Sequence, residues 1–217
     1  MFKFQRKLIL NNNIEKKMYH ELEVIELPES FIEWQFAERK ENAEKFGGMP
    51  SLAVAPIILT LPENQEENFI SEPKVIGMTA KPEFLEEYTD KFKDIYERNV
   101  SAGKGKVSKE ALSFLADYYS SPENLNLTCF SSLEISSSQT MKNLEKSPYC
   151  TLLFYNFALR KGQFRVFKVE SFAQIVDKDD PFFDYVYHRN SLFHGRAEEC
   201  KVLKFNVLSV TESKARM

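Results

Sequence analysis

The chain is poor in the residues that hold small extracellular or metal-bound domains together. Its three cysteines, Cys129, Cys150 and Cys200, are odd in number and scattered, which fits neither a disulfide framework nor a zinc site. Cys129 and Cys150 fall in apolar strand patterns and read as buried thiols, so a reducing, cytoplasmic setting is expected. Histidine is equally scarce. His188 and His194 fall on different faces of a helix and His20 lies far away, so the three read as solvated or capping side chains and not as a ligand set. No apolar run approaches the length of a membrane span. Basic and acidic residues, 29 against 32 for a formal charge of −3, are interspersed and give no sign of a nucleic-acid surface. The opening MFKFQRKLILNNN carries Lys3, Arg6 and Lys7 before any acid. That is a slight likeness to a mitochondrial presequence, without its serine and arginine richness.

What is present is an ordinary globular composition with many phenylalanines, in 217 residues, enough for one domain with a sizeable core. We expect an N-terminal arm over 1–27, poorly ordered, and a single domain over 28–217 with a helical insertion around 70–120. Helices are predicted after Pro28, where Phe31 and Trp34 share a face, and from Pro82, where Phe84, Leu85, Tyr88, Phe92, Ile95 and Tyr96 form an apolar stripe. A further helix is expected from an N-cap at Ser108 and another from Asp180-Pro181. Gly103-Lys104-Gly105-Lys106 lacks the full spacing of a phosphate loop and reads as a flexible basic linker.

The stretch from Leu127 to Arg165 organises the rest. It reads as strand, polar loop, short helix ending at Ser147-Pro148, apolar strand, turn at Lys161-Gly162, and a further strand. The apolar strand, CTLLFYNFAL, is predicted to be buried on both faces. A hydroxyl-rich loop running into a helix start suits a phosphate group, with Ser136, Ser137 and Ser138 supplying donors. Equally, these serines cap the helix.

The order Phe130-Ser131-Ser132, Ser138-Gln139-Thr140, Leu144…Ser147-Pro148, Leu152-Leu153-Phe154-Tyr155 and Gln163-Phe164-Arg165-Val166 resembles the FMN-binding split barrels of the pyridoxamine 5′-phosphate oxidase family. Tyr185-Val186-Tyr187-His188-Arg189 extends the likeness. The resemblance implies an α+β, mainly β fold, a split β-barrel with flanking helices, and FMN held at a homodimer interface. It implies that Phe130 and Ser131 touch the flavin, that Ser138, Gln139 and Thr140 stand where the flavin phosphate is gripped, and that Gln163 and Arg165 lie beside the cofactor. Tyr185 and Arg189 would hold the phosphate of a pyridoxine-type substrate, which suits a guanidinium fork. Arg165 and Arg189 are as readily surface ion pairs.

The departures weigh against a complete oxidase. Gln139 and Thr140 replace two cations of the family grip. Each charge-assisted bond to phosphate is worth roughly 1.5–3 kcal/mol, so losing both weakens binding by about two orders of magnitude or more. Phe193 replaces a substrate-phosphate serine, and the family's C-terminal dimerisation segment is absent. Leu115 and Ser120 fall where a family strand carries an arginine and a lysine. Either that strand persists without its charges, or an inserted helix pair displaces it. Two functions follow: an FMN-dependent oxidoreductase of vitamin B6 metabolism, or a catalytically inactive relative acting as a flavin- or pyridoxal-phosphate-binding or protein-interaction module. A third reading is an unrelated α+β adaptor docking a partner through the helix at 81–99.

Overall fold

The computed structural model describes residues 4–5, 21–36, 56–61, 70–103, 108–119, 122–135, 138–156 and 163–216. A two-stranded ribbon pairs β1 (Phe4–Gln5) with β2 (Glu21–Leu22). Helix α1 runs over 29–36 within the described residues. Then come β3 (Ile57–Thr60), β4 (Ile70–Pro73), β5 (Gly77–Ala80), a 3-10 turn at Pro82–Phe84, α2 (Leu85–Ser101) and α3 (Lys109–Tyr119). The chain continues through β6 (Leu125–Glu134), α4 (Gln139–Lys146), β7 (Tyr149–Asn156), β8 (Gln163–Val176), α5 (Pro181–His194) and β9 (Lys201–Arg216). Seven strands form one antiparallel sheet in the order β4-β3-β7-β8-β9-β6-β5, with helices around it, so the fold is α+β as expected.

Local chemistry explains the boundaries. Pro82 opens the turn that leads into α2, Asp180 caps α5 by accepting from Phe182 N at 2.8 Å, and Ser108 caps α3 by accepting from Ala111 N at 3.1 Å. β7 and β8 are adjacent and antiparallel, with Leu152 opposite Val169 and Phe154 opposite Phe167. β7 differs from expectation in its outer face. Cys150, Leu152 and Phe154 are buried, whereas Thr151, Leu153 and Tyr155 are only half-covered. One face of this strand meets the core and the other is partly open, so its apolar run overstates its burial.

Two further expectations are refined. Residues 70–80 are strands β4 and β5, and helix begins only after Pro82. Those strands are short and carry Pro73 and Gly77, which hides them from a period-two search. The segment around Leu115, open between strand and helix in the sequence, is helix α3. The proposed strand echo at Met49–Ala55 lies outside the described residues.

The sheet has two dissimilar faces. Phe130 and Ser131 are consecutive in β6 and therefore point to opposite sides. On the Phe130 side, α1 inserts Phe31 edge-on against Phe154, Phe167 and Phe130, with centroids at 5.0, 5.1 and 5.7 Å. Trp34 packs on Phe167 at 5.1 Å. The segment ahead of α1 is pinned by Ile25 N donating to Val207 O and Leu27 N to Leu127 O. On the Ser131 side lie α5 and, against it, α2, with Phe92 packed on Tyr185, Phe114 and Tyr118. The α2 stripe is therefore spent inside the chain. No described helix is long and apolar enough to cross a membrane.

Phe31 is fully buried and joins α1 to three strands. Replacing Phe31 by Ala is expected to cost about 3–5 kcal/mol, and Phe31→Leu roughly half as much. Urea unfolding followed by circular dichroism checks both; a change near zero for Phe31→Ala would disprove the anchoring role.

Candidate functional site

At the start of α4 the hydroxyls are already engaged. Ser138 is the N-cap, extended at φ −95° and ψ 163°, and its Oγ accepts from Met141 N at 3.3 Å. It also donates to Glu134 Oε2 at 3.3 Å. Buried Thr140 donates through Oγ1 to Glu72 Oε2. Gln139 is exposed and donates to Asn143 one turn on. Glu134, only 6% exposed, also accepts from Lys74 Nζ at 2.7 Å and Ser132 Oγ at 3.2 Å. Lys74 lies 3.5 Å from Glu72 as well.

Two carboxylates and one ammonium thus share the hydroxyl cradle, leaving it formally negative. A dianionic phosphate needs donors that are free and a positive field. The hydroxyls of this cradle are engaged and its field is formally negative, so these side chains do not fit the phosphate of FMN. For Ser138 the geometry is that of a helix cap; Ser136 and Ser137 lie outside the described residues. The partners Glu72, Lys74 and Glu134 were invisible in the sequence because they come from β4, its exit and the end of β6, with no local motif to mark them.

Ser131, Tyr185 and Arg189 meet at a second place, between α5 and the edge strand β5. Arg189 is buried and donates from Nη1 to Met78 O at 2.5 Å and from Nη2 to Ser131 Oγ at 3.0 Å. Its Cζ lies 5.6 Å from the Tyr185 ring centroid. The Tyr185 hydroxyl accepts from Ala80 N at 3.1 Å and sits 2.5 Å from the Tyr118 hydroxyl, which also reaches Met78 O at 3.4 Å. Burial pushes both phenols above the ordinary tyrosine value, so they remain neutral hydroxyls. Burial opposes the charge on Arg189, but the surrounding tyrosine oxygens outweigh it and the guanidinium stays protonated.

Arg189 is therefore not a surface ion pair. No carboxylate pairs with it among the described residues, and its fork is taken by a carbonyl and a hydroxyl. Phe130, on the opposite face, is wholly buried among Phe31 and Phe154.

A third place holds Gln163 and Arg165, at the far end of the β8–β9 ladder from α4. Arg165 donates to Glu212 Oε1 from Nε at 2.8 Å and Nη2 at 2.6 Å, and reaches Ser30 O at 3.4 Å. It forms the ion pair that the sequence left open, tying β8 to β9 and α1. Gln163 stands opposite Arg216 in the register; its side chain is outside the described residues. The nine candidate residues thus fall in separate regions of one chain and do not converge on one pocket. No group of three or more His, Cys, Asp or Glu is placed to hold a metal among the described residues.

Two predictions arise from α5. A Cβ on Gly77 would meet Arg189 Cζ, Nη1 and Nη2 at 2.7 Å, against a guanidinium pinned by two bonds. Gly77→Ala is expected to destabilise by about 1–3 kcal/mol, and by clearly less in an Arg189→Met background, where the clash is gone. Urea unfolding of the double-mutant cycle checks this, and strict additivity would refute it.

His188, expected at the surface, is instead buried at the α5 surface facing α2, edge-on to Tyr187 at 5.1 Å, its Nδ1 without a partner among the described residues. Burial, aided by Lys93 and Arg196 against Asp184 and Glu97, pulls its pKa from 6.5 down to about 4. The unfolded chain binds the proton first, so stability is lost as the pH falls from 6.5 to about 4. In His188→Gln the stability–pH curve should be flatter across that window; an unchanged slope would exclude His188 as its source.

Neither a family model nor a curated protein matches the chain. Solved structures that it resembles include a candidate pyridoxamine 5′-phosphate oxidase from Listeria innocua, with TM-score 0.45, 6% identity, and coverage of 84% of this chain and 97% of the other. The heme storage protein HutZ from Vibrio cholerae gives TM-score 0.41 and 8% identity over 83% of this chain and 92% of the other. An FMN-binding protein from Syntrophomonas wolfei gives 0.38 and 9% over 87% and 95%. These neighbours are, by turns, pyridoxamine 5′-phosphate oxidase-like, heme-storing and FMN-binding, and with so few residues shared none of their ligands passes to this chain on likeness alone.

Proposed function

We propose that the chain is a non-catalytic relative of the FMN-binding split barrels, a protein-interaction module that has given up the flavin phosphate site. The observation that carries this reading is the self-filled cradle at α4. Ser138 and Thr140 donate to Glu134 and Glu72, and the two carboxylates would face an incoming phosphate. Like charges in such proximity repel an incoming phosphate, and the hydroxyls that would bind it are already occupied.

Two further features support it. α3 occupies the stretch that the family uses as a charged strand beside flavin and substrate, so Leu115 faces the core and contributes no cation. Tyr185 and Arg189, the residues that would hold a substrate phosphate, spend their polar atoms on β5 and Ser131. The β7–β8 hairpin supports the split-barrel ancestry that both this reading and the flavin oxidoreductase reading share.

Titration of the purified protein into FMN, read by flavin fluorescence and visible absorbance, tests the proposal. We expect no saturable quenching up to about 100 µM FMN, corresponding to binding weaker than roughly −5.5 kcal/mol. A submicromolar dissociation constant with a shifted flavin spectrum would overturn it and restore pyridoxamine-phosphate oxidation as the activity to assay.

A further inference from the structure

α2 and α3 form an excursion between two paired strands. Ala80 of β5 stands opposite Leu125 of β6, and one step further Lys81 N donates to Asn124 O at 2.9 Å, so the strand ladder itself closes the base of the excursion. Above that base the two helices hold each other through Tyr88 and Phe92 against Phe114. They are fastened to α5 and the turn after it by Phe92 on Tyr185, by the Tyr118 hydroxyl on the Tyr185 hydroxyl, and by Arg196. Arg196 lies 4.9 Å over the Tyr96 ring and donates to Glu97 at 3.1 Å. A unit with a closed base and one docking face opens without unpairing the strands beneath it.

His188 sits in that docking face. It is 9% exposed, and its Nδ1 has no partner among the described residues. A doubly protonated ring needs an acceptor at both nitrogens, and the closed arrangement has none ready at Nδ1. Lys93 of α2 and Arg196 oppose a charge here; Asp184 on the same helix and Glu97 of α2 favour one, but Glu97 already accepts from Arg196. The sheet side brings two more cations to α5, Arg189 over the Tyr185 ring and Lys204 over the Phe182 ring. Moving α2 away removes both the cover and Lys93 in one step, and gives the ring water.

We propose that protonation of His188 releases α2 and α3 from α5 as a unit, an acid-sensitive latch on a sheet that stays paired. The closed form holds the imidazole at about 4, against 6.5 once it is open to water. The open form therefore takes the proton first, and opening becomes about twentyfold more frequent between pH 7 and pH 5. Glu170 and Glu212 are held below the ordinary carboxylate value and stay charged across that window. This inference does not depend on whether the chain binds flavin.

Hydrogen exchange on the full chain, corrected for intrinsic rates, reads the opening. Amides of α2 and α3, Phe92 and Ile95 among them, should exchange about twentyfold faster at pH 5 than at pH 7, with those of Leu152 and Phe167 in the sheet little changed. His188→Gln should abolish the acceleration. Its absence from the wild-type chain, its persistence in His188→Gln, or an acceleration shared equally by sheet and helices overturns the proposal. Should His188→Gln fail to fold, Lys93→Gln, at a half-buried position of α2, decides. Removing that opposing charge eases protonation in the closed form, so the acceleration should shrink; one equal to the wild type overturns the proposal.

Discussion

The α5 face of the fold depends on one buried cation. Arg189 carries its charge into the interior with no carboxylate beside it among the described residues, and it is tolerated because a carbonyl, a hydroxyl and an aromatic face replace its water. Those partners come from β5, β6 and α5 itself. The guanidinium therefore fixes how α5 sits on the sheet, and α5 in turn gives α2 and α3 the surface against which Phe92 and Tyr118 are buried. If that charge lost its partners, the cost would be that of an orphaned buried ion and not of one hydrogen bond.

The two ends of the Leu127–Arg165 stretch show what a sequence reveals and what it withholds. Its elements were legible because each has a local signature: a strand running into the hydroxyl-rich loop, a cap at Ser138, Pro148 after α4, and the apolar run of β7. The helices from Pro28, Pro82, Ser108 and Asp180 were legible for the same reason. β4 and β5 were missed because four-residue strands containing proline or glycine carry too little pattern. β7 was misjudged on its outer face because apolar composition does not report which neighbours arrive.

The site was less legible than the fold. Ser138 and Thr140 were found, but Glu72, which answers Thr140, lies 68 residues away in the chain, and Glu134, four residues before Ser138, ends a strand where no motif marks it. Arg165 met its ion-pair alternative in Glu212. Arg189 met neither alternative, because both assumed an exposed guanidinium, whereas the space at Gly77 admits it to the interior. His188 was read as a solvated or capping side chain from its spacing to His194, although its neighbours Tyr185, Val186 and Arg189 share a buried helix turn.

The strand order has a kinetic side. β9 lies between β8 and β6, pairing with β8 along nearly its whole length and with β6 over Lys201–Asn206, although it follows them in the chain. Until it inserts, the sheet exists as two unjoined pieces, β4-β3-β7-β8 and β6-β5, each with a raw central edge. The β7–β8 hairpin can form locally, but closing the sheet requires contacts across long loops, which slows folding. During synthesis, nascent chains that have not yet released β9 would display two complementary open edges at once. They are the natural clients for a chaperone, and the state in which neighbouring chains are most exposed to exchanging strands.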